Sequence, residues 1–270
     1  MAAVPNVRAK DMMGQENTVP RKINGVEGAA GDVMQSGGPG VIESWGNATS
    51  IWGLLSNFAG MYRHESVAVT TIQQVNDWHL VNGFITGYLD GGWAFHAGGQ
   101  LALTAQANNG DGKTLITCAG HGLVNGDVIS ISNTTSYDGV WVVEQVIPPN
   151  TFVIPTVWVA NEGAKTAEHG SHFISASALS AGKYLIQYTM SITPAAANCR
   201  VEVTYYCNAT QEIKSESRTK LGAIGDYQNV VGFSICDIAT SDVISLAIRN
   251  VTDAGDFTIR DGNMTLIRIG

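Results

Sequence analysis

Between Gly182 and Thr193 the chain reads GKYLIQYTMSIT. Tyr184, Ile186, Tyr188, Met190 and Ile192 fall on one face of an extended strand, and Leu185, Gln187, Thr189, Ser191 and Thr193 fall on the other. A period of two is the repeat of a β-strand; at 3.6 residues per turn the same residues would scatter around a helix. A row of five apolar side chains on one face needs a second layer to cover it. The segments that follow keep the same texture: CRVEVTYYC, YQNVVGFSICDI, DVISLAIRNV and DFTIRDGNMTLIRI, separated by Gly, Asp, Asn and Pro. No amphipathic helix of ten or more residues is expected after residue 65, so the covering layer must itself be β. The expected fold class is all-β, a jelly-roll sandwich.

Composition narrows the partners. Charged residues make up 14% of the 270 positions, well below the ~25% of an ordinary soluble domain. Ser, Thr, Asn and Gln must then supply the polar surface. Such a surface is cheap to desolvate, and extensive protein contacts are expected. A formal net charge of −8 with no basic run excludes a nucleic-acid backbone as partner. No stretch approaches 18 consecutive apolar residues, so no membrane span is expected, and the first residues lack the apolar region of a secretory signal. Four cysteines, Cys118, Cys199, Cys207 and Cys236, form no CxxC pair. Cys199 and Cys207 stand on one strand face about 26 Å apart and cannot bridge; reduced, buried thiols are expected.

The texture changes along the chain. Residues 1–62 lack sustained periodicity and are rich in Gly, yet Val33, Met34, Val41, Ile42 and Trp45 interrupt the glycines. They are expected to form an extended N-terminal arm and connector that orders against a partner. Residues 63–100 and 163–270 carry the jelly-roll strands. Between them, 101–162 holds five short strand candidates joined by tight turns: 101–107, 113–118, 127–132, 139–146 and 151–159. This segment is expected to be an autonomous, barrel-like β module inserted at a loop tip.

The module's run ITCAGHGLVNGDVISISNTTSYDGVWVVEQVIPPNTFVI presents the residues of a site. His121 lies between glycines, and Asp127 follows Asn125-Gly126. Turn chemistry accounts for both: the glycines supply positions with positive φ, and an Asp after Asn-Gly commonly caps turn amides. Other constellations give way in the same manner. In NNGDGKT, position 107, where the first glycine of a P-loop would stand, is Ala107, and a strand rather than a helix follows. The same segment offers Asn108, Asn109 and Asp111 as calcium ligands, but no distal Glu closes the set. His169 and His172, near Glu162 and Glu168, have the spacing of a zinc pair, but loop histidines are the expected account. No G-x-S-x-G elbow is present. Trp93, Trp141 and Trp158 could stack on sugars or fill a core. No catalytic, metal-binding or cofactor-binding residue is expected.

Two stretches carry a resemblance. His121, Gly122, Leu123, Gly126, Asp127, Tyr137, Gly139, Asn150, Thr151 and Phe152 resemble the pattern of a small β module that recurs in tailed-phage virion proteins. The C-terminal run GDYQNVVGFSICDIATSDVISLAIRN, with the last strand MTLIRI, is similar to the C1q/TNF-like jelly roll of phage head-fibre, capsid-decoration and tail proteins. The resemblance implies a homotrimer without catalytic residues. On that basis the chain is expected to decorate or project from a capsid in the virion, contacting the major capsid protein or neighbouring virion proteins through its arm. A tail-fibre or receptor-binding component that contacts host glycans is the alternative. A jelly roll split by an inserted module departs from the family pattern.

Overall fold

The computed structural model describes residues 22–23, 26–27, 32–35, 44–47, 58–64, 69–70, 75–252 and 255–270. The chain forms two compact units, Met1–Gly53 and Leu54–Gly270. In the first, β1 (Lys22–Ile23) pairs with β2 (Val26–Glu27), and β3 (Asp32–Gln35) pairs with β4 (Ser44–Asn47), both antiparallel. Periodicity gives no strand signal in this region, although Asn24-Gly25 is a dipeptide that favours tight hairpins. The rest of the expected arm lies largely outside the described residues.

The sandwich of the second unit is built on two antiparallel sheets. One runs in the order β23 (Gln228–Ile238), β19 (Gly182–Pro194), β25 (Phe257–Arg268), β5 (Phe58–Arg63) and β8 (Ile85–Leu89), with β6 (Val69–Thr70) also on β25. The other runs β21 (Thr210–Gln211), β20 (Arg200–Cys207), β24 (Val243–Asn250), β18 (His172–Ser175) and β9 (Trp93–His96). In this second sheet β22 (Ser217–Lys220) also pairs with β20, and β7 (His79–Leu80) with β24. The alternation legible in β19 is the one that packs. Tyr184, Ile186, Tyr188, Met190 and Ile192 are buried in a single core with Val201, Val203 and Tyr205 of β20 and Ile244, Leu246 and Ile248 of β24. Burying each such side chain contributes roughly 1.5–3 kcal/mol. The Tyr188 hydroxyl reaches across the core, 2.8 Å from Val203 O.

One expectation is corrected here. Residues 58–62, counted with the arm and connector, belong to the strand Phe58–Arg63 between β25 and β8, with Ala59 and Met61 fully buried. The segment is short, and only Ala59 and Met61 carry its apolar alternation, too little to register against the glycine-rich background.

The small β unit holds its own core: Leu101, Leu103, Ile116, Leu123, Ile129, Ile131, Tyr137, Phe152, Ile154 and neighbours. Two four-stranded sheets enclose it. They run β10 (Gly99–Leu103), β17 (Lys165–His169), β13 (Val128–Ile131), β14 (Gly139–Val142), and β11 (Ala105–Asn108), β12 (Lys113–Thr117), β16 (Thr151–Val157), β15 (Gln145–Ile147). Two of the five strand candidates break in two because the chain changes sheet, at Thr104 and at Val143-Glu144. The paired strands begin at Gly99 and end at His169, beyond the 101–162 read from sequence.

A third apolar cluster joins this unit to the sandwich. Val128, Val140 and Val142 pack against Leu80, Tyr206, Val243 and Ala247. These last residues lie on the outer face of the second sheet, because Ile244, Leu246 and Ile248 take the inner one. All four residues of β13 are therefore buried, Ile129 and Ile131 in the module core and Val128 against the sandwich. Ser130 accepts Leu80 N–H at 2.9 Å across the same junction. The unit is docked rather than suspended from its connections.

Candidate functional site

The chain leaves β9 for the module through Ala97-Gly98 and returns to β18 through Gly170-Ser171. His96 pairs with His172 below this neck, and Gly99 pairs with His169 above it. The two connections lie close together. A Cβ on Gly98 would stand 2.1 Å from His169 O and 2.4 Å from Ser171 N. The Ser171 hydroxyl accepts Phe84 N–H at 3.1 Å and Gly98 N–H at 3.3 Å. Strand pairing at the neck thus gathers His96, His169 and His172.

Asp127 joins them from the module. Its Oδ2 accepts Val124 N–H at 2.8 Å, the turn cap expected of an Asp after Asn-Gly. Its Oδ1 lies 3.3 Å from His172 Nε2 and 3.5 Å from His96 Nδ1, while Oδ2 lies 3.5 Å from His169 Nε2. Asp127, His169 and His172 are buried. The His96 side chain is 35% exposed. It borders an open cleft of about 400 Å³ shared with Gln100, Gly120, His121 and His169.

The charges follow from burial and neighbours. Burial works against the Asp127 carboxylate, but the contacts from His172 and Val124 and the nearby His169 outweigh it, so its pKa lies below the ordinary value. Burial lowers His169 to about 4, against the pull of Asp127 and with His172 and His96 adding to the effect; its ring is neutral at neutral pH. His172 Nδ1 sits 2.9 Å from Gly170 O. A carbonyl only accepts, so Nδ1 carries the hydrogen, and Nε2 is the ring nitrogen that faces Asp127. Among the described residues, Asp127 Oδ1, His172 Nε2 and His169 Nε2 make no hydrogen bond. His96, Asp127 and His172 each offer one ligand atom, all within 4.8 Å of one another.

This is a different set from the one sequence spacing suggested. His169 and His172 do meet, with ring centres 5.1 Å apart, but Glu162 and Glu168 do not join them. Glu162 accepts Thr135 N–H. Glu168 is buried 3.3 Å from His79 and also takes the Ser130 hydroxyl. Asp127, expected from sequence to cap turn amides, does so and also has three histidines beside it. The turn histidine His121 accepts Leu123 N–H at Nδ1, 3.0 Å away, and stands edge-on to Phe152.

The other candidates have plain positions. NNGDGKT is the β11–β12 hairpin turn, where Asn108 Oδ1 accepts Gly110 N–H at 2.8 Å and Asp111 Oδ1 accepts Lys113 N–H at 2.9 Å. Trp93 is buried edge-on to Phe173 and Tyr184. Trp141 donates Nε1–H to Tyr137 O. All four cysteines are free, with Cys207 of β20 neighbouring Cys236 of β23.

No protein-family model matches the chain, and no curated protein matches it. Among solved structures, the chain is similar to an insecticidal delta-endotoxin of Bacillus thuringiensis at 6% identity and a TM-score of 0.24, over 88% of this chain and 58% of that one. The chain thus spans little more than half the length of that toxin, and a likeness this slight bears on neither fold nor function.

Proposed function

We propose that this chain is a structural protein of a tailed-phage virion, decorating or projecting from the capsid as a homotrimer with a jelly-roll body. It stabilises by contact and performs no chemistry on a substrate. The observation that carries this reading is the outer side of β23. That strand is eleven residues long and stands at the edge of its sheet. Val231, Phe233 and Ile235 alternate along it, half or more exposed, and Asp237 is its one charged residue. Soluble proteins usually blunt such edges with Lys, Pro or bulges. A long apolar edge with a single charge at its end suits association with further copies. The motif resemblance in the module and the C-terminal strands supports the virion context, and the N-terminal segment is the part proposed to hold the capsid.

Light scattering on the purified chain tests the assembly: a trimer mass is expected, and Phe233→Asp is expected to release folded monomers. A wild-type monomer at micromolar concentration overturns the reading. The second reading is a tail-fibre or receptor-binding component. It is supported by Trp158, which lies half-buried between exposed Val157 and Val159 and could meet a glycan. Heads isolated without tails separate the two: the chain is present on them in the first reading and absent in the second.

A further inference from the structure

We propose that His96, Asp127 and His172 bind one divalent transition-metal ion of the zinc type, and that this ion pins the small β module to the sandwich. Two imidazoles and a carboxylate are a ligand set that suits zinc and its first-row neighbours better than calcium or magnesium. Two of the three spacings match a bound ion. Bonds of about 2.0–2.1 Å in a tetrahedral site put ligand atoms about 3.4 Å apart. Asp127 Oδ1 stands 3.3 Å from His172 Nε2 and 3.5 Å from His96 Nδ1; the ligand atoms of His96 and His172 lie within 4.8 Å of each other and draw together on the ion.

The neighbours of the ligands are those a metal site needs. The hydrogen bond from His172 Nδ1 to Gly170 O fixes the tautomer that leaves Nε2 free to coordinate. Val124 N–H holds Asp127 through Oδ2 and turns Oδ1 toward the rings. Asp127 Oδ1 and His172 Nε2 are buried without a hydrogen bond among the described residues, an arrangement that costs free energy if both keep bare lone pairs. A proton would join Oδ1 to one ring only. A cation at the centre serves all three atoms together. His96 borders the open cleft, so water can complete the coordination there.

The ligands come from two bodies. His96 and His172 belong to paired strands of the sandwich, and Asp127 comes from the turn that leads into β13 of the module. The ion therefore adds a third attachment beside the neck and the apolar contact around Leu80 and Val128. This role departs from the absence of metal ligands expected from sequence. It does not depend on the virion reading.

The test uses the full chain, stripped with a chelator and titrated with zinc by calorimetry and with Co²⁺ by visible absorption. One ion per chain is expected, with the intense bands of tetrahedral Co²⁺ and a melting temperature that rises with zinc. His96→Ala and Asp127→Asn should each weaken zinc binding about tenfold or more, whereas His121→Ala should leave the stoichiometry and the Co²⁺ spectrum unchanged. The wild-type titration needs no variant to fold. If the stripped wild-type chain takes up no zinc at micromolar concentration, or if both ligand variants bind as tightly as wild type, the proposal is overturned.

Discussion

Gly232 and Tyr188 share one volume: a Cβ on Gly232 would stand 2.2 Å from the ring carbon and the hydroxyl oxygen of Tyr188. The two residues pair across β19 and β23. The missing side chain lets the Tyr188 ring lie under the edge strand and place its hydroxyl on Val203 O of the opposite sheet. Gly232→Ala should destabilise the sandwich by about 1–3 kcal/mol through overpacking. Tyr188→Phe should cost about 1–3 kcal/mol by removing a buried hydroxyl that lies 2.8 Å from Val203 O and 2.5 Å from Ser215 O. Urea denaturation followed by circular dichroism measures both, and a Gly232→Ala protein as stable as wild type contradicts this packing.

The neck makes a matched pair of predictions. Gly98→Ala brings a Cβ against the backbone of His169 and Ser171, which cannot rotate away. Its cost is expected at the upper end of the ~1–3 kcal/mol overpacking range or above it. Gly99→Ala, one residue on, meets nothing within 4 Å and should change stability by less than about 0.5 kcal/mol. Thermal melts of the two variants side by side decide the matter.

His121→Ala should cost on the order of 1 kcal/mol, because Leu123 N–H loses its acceptor. Metal content should not change. A loss of bound zinc in this variant would move His121 from the turn into the site.

Cys236 should be the most reactive thiol at neutral pH. The Cys207 thiol bonded to it stabilises the thiolate, burial opposes this and Tyr205 helps, so its pKa falls to about 7. Cys118, by contrast, is raised by burial. The sign follows directly: a lowered thiol pKa makes the thiolate available at lower pH, so alkylation by iodoacetamide should rise through a midpoint near pH 7. Cys207→Ala should move that midpoint up. Peptide mass mapping over a pH series reads both effects, and preferential labelling of Cys118 runs against the expectation.

Much of the sandwich was legible because β19, β20 and β24 are long enough for a period of two to stand out. Phe58–Arg63 was not, since its meaning comes from β25 far along the chain. The turn roles of His121 and Asp127 were readable because turns are local. The cluster was not, because His96, Asp127 and His172 sit in three separate segments with no shared spacing. One signal was available. An insertion brings its two ends together, and here both ends carry histidines beside glycines, FHAGG on entry and HGSHF on return. Residues that flank an insertion are neighbours by construction, whatever their separation in the chain.

The position of β5 bears on how the protein is made. One of its two ladder partners is β8, nearby in the chain, and the other is β25, the last described strand. A ribosome delivers Ala59 and Met61 long before the strand that will cover their backbone edge, and a chain stopped anywhere before Phe257 leaves that edge open. The module differs, since all eight of its strands lie between Gly99 and His169, and it can close while the C-terminal strands are still being synthesised. Assembly of the first sheet is therefore a late, long-range event with a slow closure, and truncated or stalled chains should be the ones that chaperones and proteases meet.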